Sequence, residues 1–142
     1  MKETLLSTKD PEGVGLAAPQ VGKLLRIFII RSGRKITTFI NPKITWRSKK
    51  LNTDVLSEKE QYLEGCLSIP QIYGLVKRPH EIKIQYLNEK GTNIKDKYKG
   101  FTSANIQHEY DHLEGVLFTS RVLKEGEKLY KLDGEKWKEV DI

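Results

Sequence analysis

Residues 102–115 read TSANIQHEYDHLEG, and this stretch decides the fold. Thr102 and Ser103 are typical helix-capping residues, and Gly115 is a typical residue to follow the end of a helix. We therefore predict a helix from Thr102 or Ser103 to about Glu114. Most of the remaining chain predicts short strands and turns, so the fold class is α+β, with this helix as its main helix.

The same stretch contains a metal-binding pattern, HEYDH at residues 108–112. Its two histidines are four residues apart, so on a helix both rings can reach one metal ion. Glu109 lies beside that metal, where a general base for an activated water belongs. Cys66, the only cysteine in the chain, can supply a third ligand. The pattern predicts a metal-dependent hydrolase.

Other metal-site classes fit the sequence less well. One class adds a third histidine three residues after a glycine, and here Gly115 is present but Phe118 stands in the histidine position. Another class uses a downstream glutamate on a second helix, for which few residues remain. The formal candidates for that glutamate are Glu125, Glu127 and Glu135. Cys66 is the remaining ligand candidate.

The rest of the chain predicts strands and turns around this helix. A helix tail is expected in residues 1–9, stopped by Asp10-Pro11, and Glu12–Gly22 is expected to be a loop. The clearer strand patterns are Leu24–Ile30, Lys35–Ile40 (ended by Asn41-Pro42), Ile82–Leu87 and Ile94–Tyr98, and the weaker ones are Ile44–Trp46 and a stretch within Asp54–Tyr62. An Asp-Gly turn predicts a hairpin over Leu129–Trp137.

Length and composition predict one globular domain over residues 1–142. Hydrophobic residues make up 37% of the chain and charged residues 31%. A single cysteine cannot form an internal disulfide, and no apolar run approaches the length of a membrane span. The first residues lack the apolar core of a signal peptide. We therefore expect a cytosol-like compartment and no membrane partner.

The chain is basic, with a net charge of +6 and a pI of about 9.3. This charge permits attraction to a polyanion such as RNA or a ribosome surface. The densest lysines are Lys49-Lys50 and the alternating Lys95, Lys97 and Lys99. Because no aromatic-basic platform accompanies them, the pattern favours a solvated strand face over a nucleic-acid site. Trp46 and Trp137 are expected to be packing residues.

Three stretches together resemble the signature motifs of peptide deformylases, in that family's order. They are GVGLAAPQ at 13–20, EGCLS at 64–68 and QHEYDH at 107–112. The resemblance covers roughly residues 13–120 and implies the deformylase fold, with antiparallel sheets packed around the central helix. It also implies removal of the formyl group from formylmethionine at the start of new polypeptides.

The resemblance assigns roles to the site residues. Cys66, His108 and His112 would hold one divalent metal, for which the family points to Fe(II), while Zn(II), Ni(II) and Co(II) also suit these ligands. Glu109 would take a proton from water and pass it to the leaving amine. Two donors would stabilise the oxyanion, the side-chain amide of Gln20 and the backbone N–H of Leu67.

The peptide would bind as an added strand, flanked by Gly13–Gly15 and Leu67–Tyr73. Gly15 fits a place where backbone comes close to the substrate. The substrate-binding candidates are Gly13, Val14, Gly15, Tyr62, Gly65, Tyr73, Phe101, Ala104 and Asn105. Glu64 and Asp111 are candidates to orient the histidines, with Arg78 a partner for either.

Three features depart from the family pattern. Only twelve residues precede Gly13, and the chain ends in a predicted hairpin where many members have a long helix. We expect either a minimal core or a chain that lacks part of the natural protein. Asn105 is polar at a position that is usually apolar, so the preference for methionine is expected to be relaxed or shifted. The hypothesis that Asn105 instead points aside and bonds to backbone stays open.

Two further functions remain open. The chain could be a catalytically weak deformylase-fold protein that binds formylated N-termini or a ribosomal surface. A general metallopeptidase is the more distant alternative. The presence of Glu109 beside the metal ligands favours catalysis, because a binding protein would not need it.

Overall fold

The computed structural model of the chain describes residues 1–8 and 13–140. Its helices are α1 (Lys2–Leu6), α2 (Asn52–Val55), α3 (Gly100–Leu113) and α4 (Phe118–Lys124), with a short 3-10 helix at Ala18–Val21. Its strands are β1 (Gly15–Ala17), β2 (Ile27–Ser32), β3 (Lys35–Arg47), β4 (Glu64–Cys66), β5 (Ile69–Gly74), β6 (Glu81–Leu87), β7 (Asn93–Lys99), β8 (Leu129–Asp133) and β9 (Lys136–Val140).

Two antiparallel sheets are arranged about α3. The first has the strand order β1-β2-β3-β6-β7, and the second has the order β4-β5-β8-β9. The first sheet packs against α3 in a core that includes Phe28, Phe39, Ile84 and Ile106. A second core packs α4 against the second sheet through Val122 and neighbouring side chains. The predicted α+β class with antiparallel sheets around the central helix is confirmed.

The predicted helix boundaries need one correction. α3 begins at Gly100, whose φ of +68° makes the turn out of β7, and no side chain caps it. Neither Thr102 nor Ser103 is the cap, because Ser103 lies one turn inside the helix and accepts a hydrogen bond from Gln107. The predicted end is confirmed, since Gly115 follows the helix with a φ of +73°.

Strand β3 is longer than predicted because a bulge absorbs the proline. Asn41-Pro42 was expected to end the strand, but the chain continues to Arg47. Asn41 adopts a φ of +48°, and the register with β6 shifts between Ile40 and Lys43. A bulge tolerates a proline because its residues need not donate to the ladder.

A second register shift follows in β3, between Ile44 and Trp46. Strict alternation from the buried Ile44 would turn Trp46 toward the core as well. The shift instead places Trp46 opposite Lys83, with 42% of its surface exposed. The prediction that Trp46 is a packing residue is therefore wrong.

Several other predicted elements or element boundaries are wrong. β2 begins at Ile27, because Leu24 and Leu25 are exposed to solvent. The predicted loop Glu12–Gly22 contains β1 and the 3-10 helix. Asp54–Tyr62 contains no strand, and the chain there forms only the end of α2 and turns. Strands β4 and β5 and helix α4 were not predicted.

The structure agrees more closely with the remaining predicted elements. The predicted strands of the β6–β7 hairpin are confirmed, as is the C-terminal hairpin of β8 and β9, in which Asp133 pairs with Lys136. Helix α1 confirms the predicted N-terminal helix, and its predicted stop at Asp10-Pro11 lies outside the described residues. Within residues 1–8 and 13–140, no helix has the length and apolar character needed to cross a membrane.

Candidate active site

The three predicted metal ligands meet where the two sheets approach each other. Cys66 ends β4, and His108 and His112 lie one turn apart on α3. One ligand atom from each of the three residues lies within 4.8 Å of the others. The Cys66 Sγ atom is 3.3 Å from Nε2 of His112. The sequence spacing predicted the histidine pair, and the hairpin of β4 and β5 brings the thiol to it.

The chemistry of these donors fits a divalent cation. Burial alone would raise the pKa of the Cys66 thiol, but hydrogen bonds from His108, His112 and the backbone of Ser68 lower it to about 5. For His108, burial alone would lower the pKa, but hydrogen bonds with Cys66 and Glu64 raise it to about 10. Metal binding would displace the extra proton from His108, which leaves a thiolate and two imidazoles, a ligand set that suits borderline metals.

Glu64 fixes the orientation of His108. Its Oε1 atom lies 2.9 Å from Nδ1 of His108, which leaves Nε2 of that ring for the metal. Burial would raise the pKa of Glu64, but Arg78 and His108 lower it, so the carboxylate is ionised and Nδ1–H of His108 donates to it. The Arg78 guanidinium donates to both carboxylate oxygens of Glu64. The predicted role of Glu64 fits this geometry.

Asp111 has a different role from the one predicted. Its Oδ2 atom accepts hydrogen bonds from Arg78 at 3.0 Å and from Arg121 at 2.6 Å, and its Oδ1 atom accepts a second one from Arg121. Among the described contacts, none joins Asp111 to His112. Asp111 therefore supports Arg78, which in turn holds Glu64. Arg121 of α4 completes this chain of charges, and no sequence pattern predicted it.

Glu109 is buried between the two histidines. Its Oε1 atom is 4.0 Å from Nε2 of His108 and 3.9 Å from Nε2 of His112. Burial raises the pKa of Glu109 to about 7, although both histidines act against that shift. A carboxyl group with a pKa near neutrality can both accept and return a proton. The predicted general base is therefore well placed.

The position of the Glu109 side chain requires a residue without a Cβ atom at position 15. A Cβ atom at Gly15 would lie 2.8 Å from Oε2 of Glu109, too close for an ordinary contact. The sequence led us to expect that this glycine makes room for the substrate, and the structure shows that it makes room for the Glu109 carboxyl group. Strand β1 thus determines how far the Glu109 carboxyl group can move.

The Gln20 side chain directs its amide nitrogen toward the three metal-ligand residues. The backbone N–H of Ala17 donates to Oε1 of Gln20 at 2.8 Å, which fixes the orientation of the amide. Its Nε2 atom lies 3.0 Å from Oγ of Ser68 and 3.4 Å from Sγ of Cys66. An amide held in this way is a preorganised donor beside the cluster. Leu67 lies in the tight turn between β4 and β5, next to Cys66.

A cavity of about 570 Å³ opens over the cluster. Most of the predicted substrate-binding residues line it, namely Gly13, Val14, Gly15, Tyr62, Gly65, Tyr73, Phe101 and Asn105. Ala104 is the exception, because it is 3% exposed and does not line the cavity. It lies about 100° around the helix from Asn105, on the flank that is buried. The structure therefore does not place Ala104 on the cavity wall.

Two edge strands border this cavity. β1 is the outer strand of the first sheet, and β4 is the outer strand of the second. Gly13–Gly15 and the hairpin around Leu67 both line the cavity. Edge strands offer unpaired backbone groups that an extended chain can pair with.

Comparisons with known proteins indicate the family of this chain. The family model described as Polypeptide deformylase matches residues 1–128. The chain is 46% identical over 110 residues to the peptide deformylase of Treponema pallidum (strain Nichols), covering 78% of this chain and 63% of that protein. It is 42% identical over 123 residues to peptide deformylase 2 of Clostridium acetobutylicum, covering 86% of this chain and 74% of that one.

Solved structures show the same relationship. The probable peptide deformylase of Synechococcus phage S-SSM7 has a TM-score of 0.74 and 36% identity, covering 85% of this chain and 78% of that one. The Thermotoga maritima peptide deformylase has a TM-score of 0.71 and 36% identity, covering 84% of this chain and 79% of that one. The chain spans less than two thirds of the Treponema relative's length. The chain belongs to the polypeptide deformylase family.

Proposed function

We propose that this chain hydrolyses the N-terminal formyl group of formylmethionyl nascent peptides, releasing formate. The observation that carries the proposal is the convergence of Cys66, His108 and His112 on one point, with Glu109 buried beside them. The names of the relatives support the same activity. The open cavity between two edge strands suits an extended peptide N-terminus.

The proposed cofactor is one divalent metal ion held by Cys66, His108 and His112. We propose Fe(II), while Zn(II), Ni(II) and Co(II) suit the same ligands. Bound at this site, such an ion would lower the pKa of a water molecule to about 7 and so would supply a nucleophile at neutral pH. Glu64 keeps the His108 ring turned so that Nε2 faces the cluster.

Glu109 handles the proton. It accepts a proton from the attacking water and then gives it to the amine that leaves when the formyl C–N bond breaks. The buried carboxyl group has a pKa of about 7, so both transfers are accessible near neutral pH. Formate and a free N-terminal amine are the products, and water supplies the second formate oxygen.

Gln20 and Leu67 stabilise the charge that develops on the formyl oxygen. The Gln20 Nε2 atom already faces the cluster, and the turn places the Leu67 backbone N–H next to Cys66. Ala17 and the β4–β5 turn hold both groups beside the metal ligands, so Gln20 need only exchange its hydrogen bond with Cys66 for one with the oxyanion. The peptide backbone would pair with β1 on one side and with the β4–β5 hairpin on the other.

This proposal is tested by loading the protein anaerobically with Fe²⁺, Ni²⁺ or Zn²⁺ and following formate release from formyl-Met-Ala-Ser. We expect turnover with at least one metal and a loss of it in Cys66→Ala. If no metal gives release, the chain is better described as a protein that binds formylated N-termini. Full release by Cys66→Ala would place the metal elsewhere.

The side-chain pocket for the first substrate residue is expected to be partly polar. The rings of Tyr62 and Phe101 meet edge to face with centroids 4.9 Å apart, and Asn105 lines the cavity one turn after Phe101. The Asn105 amide offers hydrogen bonds that methionine cannot use. We therefore expect a preference for methionine over glutamine that is about tenfold weaker than in Asn105→Leu.

This preference is measured by comparing kcat/KM for formyl-Met-Ala-Ser and formyl-Gln-Ala-Ser in both proteins. The matched variant keeps the helix and changes only the pocket wall. An equal preference for methionine in the wild type and in Asn105→Leu would show that Asn105 does not face the substrate side chain.

A further inference from the structure

The outer face of the first sheet carries exposed lysines around a single tryptophan. We name this surface the lysine–tryptophan face and define it as Lys43, Trp46, Lys83, Lys95, Lys97 and Lys99, all exposed. The opposite face of the same strands buries Ile44, Ile82 and Ile84 against Ile106 of α3. The lysine–tryptophan face therefore points away from the active site.

The strand register brings these side chains into rows. Trp46 of β3 is paired with Lys83 of β6, and Lys83 is paired with Lys97 of β7. In the neighbouring row, Gln85 of β6 is paired with Lys43 of β3 on one side and with Lys95 of β7 on the other. The second bulge of β3 is responsible, because it turns Trp46 to the side that carries the lysines. An aromatic-basic platform thus exists, contrary to the sequence-based prediction.

Two ammonium groups lie near the ring of Trp46. The Nζ atoms of Lys83 and Lys97 lie 5.5 Å and 5.6 Å from its ring centroid. Such distances are within the range of cation–π interactions. Trp46 as a residue remains 42% exposed, so part of its ring is still available to a ligand.

Positive charge dominates the lysine–tryptophan face. Glu81 provides a counter-charge and binds Lys97 at 3.1 Å. Asp96 belongs to the other face of β7, where it accepts a hydrogen bond from Tyr98. The remaining lysines on this face have no carboxylate partner among the described ion pairs.

Protection of a sheet edge explains only part of this arrangement. β7 is the edge strand of the first sheet, and lysines on an edge strand discourage pairing with another chain. That role accounts for Lys95, Lys97 and Lys99. It does not account for Lys83, because β6 is paired with β3 on one side and with β7 on the other at that position. Nor does it account for Trp46, because β3 is paired there with β6 alone and edge protection calls for charged side chains rather than an exposed aromatic ring.

We propose that the lysine–tryptophan face binds single-stranded RNA. Lysine ammonium groups would contact the phosphates, and an unpaired base would stack on Trp46. A duplex keeps its bases stacked inside and could use only the lysines. An anionic membrane would also use the lysines, but this face offers no group of apolar side chains to insert into lipid. The exposed ring among cations thus favours the single strand.

The test measures the fluorescence anisotropy of a labelled oligouridine long enough to cross the sheet. Trp46→Ala is expected to weaken binding about tenfold, as loss of one stacked base does. Lys83→Ala/Lys97→Ala is expected to weaken binding and to reduce the slope of log K against log salt by about 1.4. Circular dichroism and formate release check that these variants remain folded.

Matched controls separate this face from general positive charge. Lys23→Ala/Lys35→Ala removes the same charge from exposed positions elsewhere, and Trp137→Ala removes a tryptophan that is 50% exposed on β9. Both controls are expected to bind nearly as well as the wild type. The proposal is overturned if the wild type does not bind, or if the controls weaken binding as much as the Trp46 and lysine variants. Tighter binding to an RNA duplex or to phosphatidylserine vesicles would also overturn it.

Discussion

Glu109→Gln is expected to lower the rate of formate release by about 10²–10⁴-fold while the metal content stays unchanged. The amide has nearly the shape of the carboxyl group, so it can occupy the same space against Gly15. It cannot accept a proton from water or return one to the amine. The loss should therefore appear in kcat rather than in peptide binding.

Glu114→Gln provides the control for this experiment. Glu114 follows the same helix but is exposed, where it pairs with Arg26 at 2.8 Å. Exposed ion pairs of this kind contribute little, so turnover should be close to that of the wild type. Nearly full turnover by Glu109→Gln would contradict the assigned role. Loss of bound metal by that variant would show instead that Glu109 is a structural part of the cluster.

Arg78→Ala is expected to destabilise the fold by about 3–5 kcal/mol, because it leaves buried carboxylates without their partner. The guanidinium is 3% exposed and binds both Glu64 and Asp111. For a chain of this size the loss corresponds to a fall in melting temperature of about 10–15 °C. Weaker metal binding should accompany it, since Glu64 then no longer holds His108 firmly.

Arg121→Ala is the matched control for Arg78→Ala. Arg121 also binds Asp111, but its side chain is 42% exposed and Asp111 keeps Arg78 as a partner. Thermal unfolding followed by circular dichroism should show a clearly smaller loss of stability in this variant. Equal losses in the two variants would mean that the burial of Arg78 has no special importance.

The metal ligands were predictable because their signals are local or belong to a short motif. The spacing of His108 and His112 follows from helix geometry, and Cys66 was the remaining ligand candidate for the site. The charged residues that support the site were harder to predict from the sequence. Arg78 could be proposed as a partner only in general terms, and Arg121 lies on a short helix without a distinctive pattern. Their contacts depend on how α4 packs against the second sheet.

Trp46 shows how a local irregularity in a strand changes the face of the sheet on which a side chain lies. Trp46 was expected to be a packing residue, but the register shift between Ile44 and Trp46 turns its ring to the exposed face. The glycines give a similar lesson. The motif predicted that Gly15 permits a close approach, but only the fold shows that Glu109 is the group that approaches. Sequence patterns identified the chemistry here, while tertiary contacts determined what supports it.

The central claim is that one metal ion at Cys66, His108 and His112 supports formyl hydrolysis. Its most direct test measures formate release from formyl-Met-Ala-Ser while the chelator-treated protein is titrated anaerobically with Fe²⁺ and the bound metal is counted. The account predicts turnover that rises in proportion to bound metal and levels off at one ion per chain. Formate release before any metal is added, or bound metal without release, would contradict it.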